Sequence, residues 1–263
     1  MRRSKAARPP RALLLLAALA VSFVALPFVA LVQRAPWTGL GVLLGRPVVL
    51  DALRLSVTTA LAATALSVLF GIPLAWLLAR SQLPGRSLLR ALVTLPMVLP
   101  PVVGGAALLF AFGRRGLLGG PVYESTGFLL PFSTWGVVVA NAFVAIPFLV
   151  ITVEAGLRSS DRRYEDAAAT LGAGRWTVLR RVTLPMAAPS IIAGSVLCWA
   201  RALGEFGATV TFAGNLQGRT QTMPLAVFLA LESDRDAAIA LSLVLIAVSL
   251  AVLIPLRDRW LGV

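Results

Sequence analysis

The sequence predicts an all-α integral membrane protein whose helices form a single six-span bundle. Three observations carry that prediction. Of 263 residues, 58% are hydrophobic and only 13% are charged, too little polar surface to cover the core of a soluble domain of this size. The apolar residues gather in six runs, each close to the roughly 20 residues a helix needs to cross about 30 Å of hydrocarbon. Basic residues crowd the loops on one side of those runs, as the positive-inside rule requires.

The runs are 12–33, 53–79, 91–113, 135–153, 186–213 and 237–256. Each must be helical, because backbone groups in lipid have to be satisfied within their own segment. Arg2, Arg3, Lys5, Arg8 and Arg11 precede the first run, which is the layout of a secretory signal. Its apolar stretch exceeds the usual 7–15 residues of a signal core, so it is expected to remain as a membrane helix. The run 223–231 is too short to span and reads as a re-entrant or surface piece. Pro73, Pro96, Pro100, Pro101, Pro147 and Pro189 fall inside the spans, where neighbouring helices can re-satisfy the carbonyls they free.

Six spans place both termini on one side. With the N-terminus cytoplasmic, the inner segments hold 16 of the 24 Lys and Arg residues and the outer segments hold 7, with Arg201 inside a span. The net charge of +13 is therefore mostly topology. Basic residues spread over several loops without an aromatic platform are not a nucleic-acid footprint. Residues 1–11 form a basic cytoplasmic tail suited to anionic headgroups, and 12–263 form the transmembrane domain with a cytoplasmic loop at 158–185.

Absences narrow the chemistry. The chain has no His, which excludes Ser-His-Asp catalysis and His-ligated metal sites. Cys198 is the single cysteine; in an apolar run it reads as an inert buried thiol. Lys5 is the only lysine, so no P-loop is possible. Any nucleotide chemistry must sit on another subunit. No catalytic or metal residues are expected here.

One polar stretch interrupts the apolar runs: YEDAAATLGAGRWTVLRRVTLP at 164–185. Asp161 is placed to cap a short helix, with Glu165 and Asp166 in its first turn, where the helix dipole favours acids. Ala167, Ala168 and Ala169 give a smooth face that permits close approach. Gly172 and Gly174 break the helix, Trp176, Val178, Leu179 and Val182 resume an apolar pattern, and Pro185 is expected to stop it. A docking element and an amphipathic helix lying on the membrane both fit this pattern.

The segment resembles the signature cytoplasmic loop of ABC importer permeases: Glu-Ala-Ala, three residues, Gly, nine residues, Ile-x-Leu-Pro. Asp166-Ala167-Ala168 is followed by Gly172 at the matching distance, then by Val182-Thr183-Leu184-Pro185 after nine residues. Asp replaces Glu and Val replaces Ile; Glu165 stands immediately before the motif. Further stretches look like permeases of the molybdate group: LPMVLPPVVGG at 95–105, FGRRGLLG at 112–119, RALGEFGATVTFAGN at 201–215 and RTQTMPLAVFLALESD at 219–234. Sulfate permeases share the Arg-Ala-Leu-Gly-Glu-Phe-Gly core; the Gly-Ala-Thr continuation and the Thr-Gln-Thr-Met-Pro-Leu run favour molybdate.

The resemblance implies a type I ABC importer permease bundle in a bacterial cell membrane, working as a homodimer. It also implies two copies of an ABC ATPase below, which bind the ATP and Mg, and an extracytoplasmic molybdate-binding protein above. The loop residues Glu165 through Pro185 would then couple the ATPases to the bundle. For the translocation path or gate the candidates are Arg201, Glu205, Thr209, Asn215, Pro100 and Pro101. Arg201 and Glu205 are four apart and can pair on one helical face. Charges at membrane depth usually face a bundle interior or an aqueous cavity, so the pair either lines an anion route or locks helix packing. A proton-coupled transporter would also need an intramembrane acid, but Glu205 has Arg201 at hand. An intramembrane hydrolase lacks paired carboxylates within the spans.

Overall fold

A computed structural model describes residues 10–260. All but the last two residues of the basic tail expected at 1–11 lie outside the described residues. In chain order the helices are α1 (Arg11–Gln33), α2 (Leu40–Leu44), α3 (Pro47–Arg80), α4 (Arg86–Val98), α5 (Pro101–Phe112), α6 (Gly119–Thr126) and α7 (Thr134–Ser159). There follow α8 (Arg163–Thr170), α9 (Arg175–Val178), a π-turn (Leu179–Thr183), α10 (Leu184–Leu203), α11 (Gly207–Phe212), α12 (Met223–Ser233) and α13 (Arg235–Trp260). No strand occurs among the described residues.

Five helical stretches are long and apolar enough to cross a membrane: α1, α3, α7, the continuous stretch Arg175–Leu203 and α13. The third expected span, 91–113, is not straight. It is the pair α4 and α5, bent by 117°. Pro100 and Pro101 cause the bend: neither has an N–H to donate, and each pushes its preceding residue out of the helical region. Leu99 and Pro100 accordingly adopt ψ of 138° and 131°, and Pro101 then starts α5 at a position where proline is favoured.

The expected span 186–213 also needs correction at both ends. Pro185 does not stop a helix. The wider π-turn just before it absorbs the missing hydrogen bond, as such turns do, and α9 runs through into α10. At the other end the helix closes at Leu203, and residues 204–206 separate it from α11. The short run 223–231 forms α12, about 16 Å long, too short to span, as expected. Its first turn is buried: the Met223 N–H donates to Ser56 Oγ of α3 at 2.7 Å.

The core lies among α3, α7 and α10. Ala60, Ala63, Ala75, Ala145, Leu149, Val153, Ala187 and Cys198 are all buried there. Lipid tails are as apolar as leucine, so helices in a membrane associate through close packing of small residues. Gly194 shows this: a Cβ there would lie 3.1 Å from the Leu149 carbonyl oxygen. The same device joins α5 to α11. A Cβ at Gly105 would sit 2.8 Å from the Ala208 carbonyl, and one at Gly207 would sit 2.8 Å from Pro101 Cβ. On the opposite rim Asp234 accepts the Ala237 N–H at 3.0 Å, capping α13, and pairs with Arg46 at 3.0 Å. These partners, the Ala237 N–H foremost, hold the Asp234 carboxyl below its ordinary range.

Gly207→Leu should therefore force α11 off Pro101 and destabilise the protein by about 1–3 kcal/mol, the usual range for overpacking. The check is the melting temperature in detergent beside Gly41→Leu, whose Cβ meets nothing within 4 Å. Equal melting of the two variants would contradict the close α5–α11 packing.

Candidate functional site

The polar stretch folds as a helix, a tight reversal and a second short helix. Asp161 accepts the Arg163 N–H at 2.9 Å and so satisfies the start of α8. Glu165 and Asp166 stand in its first turn. The end of α8 is a Schellman motif: the Gly172 N–H donates to Ala169 O and the Ala173 N–H to Ala168 O, both at 3.0 Å. Gly172 takes φ of +84°, a conformation that only glycine enters without strain. Gly174 does not need that freedom, because its φ is −64°.

The two neighbouring acids part company. Asp166 is exposed together with Ala167 and Gly172. Tyr164, Leu171 and Trp176 also project into solvent, Leu171 at 89% exposure, and Arg180 stacks over the Trp176 ring at 5.7 Å. Glu165 instead turns inward. Its Oε1 accepts from Arg80 Nη2 at 3.1 Å and from Thr183 Oγ1 at 3.0 Å, and Arg80 Nη2 also donates to Ser160 Oγ at 2.7 Å. Val182 and Leu184 are half-buried where the π-turn enters α10, and Pro185 is exposed. Between these helices and the end of α3 runs a groove of about 640 Å³, lined in part by Trp76, Arg162, Arg175 and Trp176.

Beside the groove lies an ion cluster that the sequence reading missed. Glu154 of α7 is buried, pairs with Arg158 at 2.8 Å and accepts a hydrogen bond from Arg90 of α4. Arg158 and Arg162 also donate to Leu78 O and Ala79 O at 3.4 and 3.3 Å, satisfying carbonyls at the end of α3. The i,i+4 spacing of Glu154 and Arg158 was legible. The approach of Arg90, 64 residues earlier, was not.

The path candidates meet around the break after α10. Arg201 Nη2 lies 2.7 Å from Glu205 Oε2, and Glu205 is 2% exposed. The pair does not share one helical face as expected, because α10 has already ended. Glu205 bridges the break: its other oxygen accepts the Ala208 N–H at 2.8 Å and caps α11. Thr209 donates to Asn141 Oδ1 of α7 at 3.2 Å, both residues buried. Pro101 closes the group against Gly207, with Pro100 at the bend. Asn215 lies beyond α11, its Oδ1 buried without a partner. Asn141 had not been anticipated, since a lone Asn in an apolar run carries no spacing signal.

Residues 68–262 match the family described as "Binding-protein-dependent transport system inner membrane component". The chain belongs to that family. It is 51% identical over 252 residues to the molybdenum transport system permease protein ModB of Mycobacterium tuberculosis, covering 95% of this chain and 94% of that one. The Escherichia coli protein of the same name is 43% identical, over 81% and 93% of the two chains. The sulfate transport system permease protein CysT of E. coli is 38% identical, over 87% and 83%. A bacterial alginate ABC transporter, crystallised with an alginate pentasaccharide-bound periplasmic protein, superposes with a TM-score of 0.70 at 20% identity, over 95% of each chain. That likeness concerns the fold.

As a binding-protein-dependent permease, the chain is a non-catalytic, multi-pass membrane subunit of an ATP-driven importer. Such a permease works as a dimer with a separate ATPase and a periplasmic binding protein. Glu205→Ala should remove the α11 cap and leave Arg201 without its partner, a loss of about 3 kcal/mol or more. Glu205→Gln keeps an acceptor for the cap and should cost less. Thermal melts of the two purified variants test this, and equal melting would mean that the cap contributes nothing.

Proposed function

We propose that this permease imports molybdate. The observation that carries the reading is the 51% identity, over nearly the whole of both chains, to a molybdenum permease. In this reading the six-span domain, 12–263, lies in the bacterial cell membrane with both termini cytoplasmic. Two copies of the chain form the path, two ATPase subunits bind ATP and Mg beneath them, and an extracytoplasmic molybdate-binding protein delivers the anion.

Residues 158–185 act as the coupling loop. The exposed Asp166, Ala167 and Gly172 face the ATPase, with Ala168 beneath them, and Val182, Leu184 and Pro185 join the loop to α10. ATP-driven closure of the ATPases brings the two loops together and opens the bundle outward; hydrolysis returns it inward. The path is built from Pro100, Pro101, Arg201, Glu205, Thr209 and Asn215. A conducting site has to bind its ion weakly enough to release it. An unpaired cation at membrane depth would trap a dianion, and Arg201 is tempered by Glu205 at 2.7 Å. Arg201 thus attracts the oxyanion without holding it.

Uptake into proteoliposomes containing permease, ATPase and binding protein, with molybdate, tungstate and sulfate in parallel, tests the cargo. Molybdate uptake that depends on ATP is expected. Sulfate as the better cargo would assign the chain to sulfate import instead, and uptake without ATP would overturn the importer mechanism. Gly172→Asp, which strains the αL cap and adds a charge to the exposed face of the loop, should abolish uptake while the protein still reaches the membrane. Normal transport by that variant would count against the docking assignment.

A further inference from the structure

We propose that Arg80 is a positioning residue for energy coupling: its buried ion pair with Glu165 ties the docking helix α8 to the end of α3, so that the loop and the bundle move together. The inference rests on the reading of 158–185 as the ATPase-docking loop, and assigns to Glu165 an inward role distinct from that of Asp166.

Apolar packing does not hold α8 in place, since none of its residues is buried. Its attachment to the bundle is polar. Glu165 contacts Arg80 of α3 and Thr183 of the π-turn, while Arg80 also reaches Ser160 at the end of α7. One carboxylate and one guanidinium thus join three spanning segments to the loop. Arg162 adds a hydrogen bond to the neutral Ala79 carbonyl at 3.3 Å, a weaker grip on the same helix end.

Burial makes the tie stiff. The Arg80 side chain is 6% exposed and that of Glu165 is 18% exposed. Arg80 Nη2 makes both bonds, whereas Nε is buried without a partner. The guanidinium charge therefore depends on this one carboxylate, and removing either partner strands the other in a site that solvates it poorly. A load applied to α8 reaches α3 directly through this pair, as well as along the chain through the turns at 160–162 and 172–174. The second acid of the pair, Asp166, stays free on the outer face for the ATPase.

The experiment uses the full permease–ATPase complex with its binding protein in proteoliposomes. It compares wild type, Arg80→Gln, Glu165→Gln and the exchange Arg80→Glu/Glu165→Arg. The ATPase should copurify with every variant in the wild-type ratio. Each single variant should move about tenfold less molybdate per ATP hydrolysed, a typical size for a coupling free energy. The exchange should recover part of that ratio, because the Ser160 and Thr183 hydroxyls can donate or accept and so serve either arrangement. A merely structural role would lower the yield of monodisperse complex without changing the ratio. Wild-type ratios in the single variants, or no recovery in a monodisperse exchange variant, would overturn the proposal. Failure of the ATPase to copurify with wild type would instead overturn the docking reading itself.

Discussion

A polypeptide in hydrocarbon has to satisfy its own backbone, and the architecture of this permease follows from that constraint. Helices run wherever the sequence lets the hydrogen-bond ladder continue. Several interruptions are matched by something that replaces the missing bonds. At Pro100 and Pro101 the ladder is surrendered and α5 restarts at a proline. After Leu203 the Glu205 carboxylate caps α11. Ahead of Pro185 a π-turn keeps the helix unbroken. At the buried start of α12 the hydroxyl of Ser56 receives the Met223 N–H.

Charge obeys the same economy. Among the described residues Glu154, Glu165 and Glu205 are the shielded glutamates, and each meets an arginine. Their positions differ in consequence. Glu205 sits at the break beside the proposed path, where pairing keeps Arg201 from acting as a trap. Glu154 and Glu165 lie at the ends of α7 and α8, where they gather α3, α4, α7 and the loop into one charged layer.

Much of this was legible beforehand. Composition and run length are enough to identify a multi-pass membrane protein, since no soluble fold can hide so much apolar surface. The Asp166-to-Gly172-to-Pro185 spacing marked the proposed docking loop, and the Arg201–Glu205 pairing was anticipated from a separation of four, although it forms across a helix break and not on one helical face. Other features were illegible for definable reasons. The proline pair at 100–101 reads as tolerated inside a span, because no local signal records that Gly207 leaves room for Pro101 beyond a full bend. Pro185 reads as a stop, because a π-turn has no sequence signature of its own. Glu165 and Asp166 are adjacent acids in one helical turn, and nothing local says which faces inward.

The sequence by itself determined the membrane class, an approximate span count, the family and the place of the loop proposed to dock the ATPase. These depend on length, composition and spacing, which are properties of the chain taken locally. The tertiary structure alone decided that the third span is two helices at 117°, that Glu205 joins two helices rather than lining one, and that Glu165 belongs to Arg80. Each of those outcomes is a contact between residues far apart in the chain, and such contacts are chosen by packing and by the cost of an unpaired charge, neither of which a local pattern records.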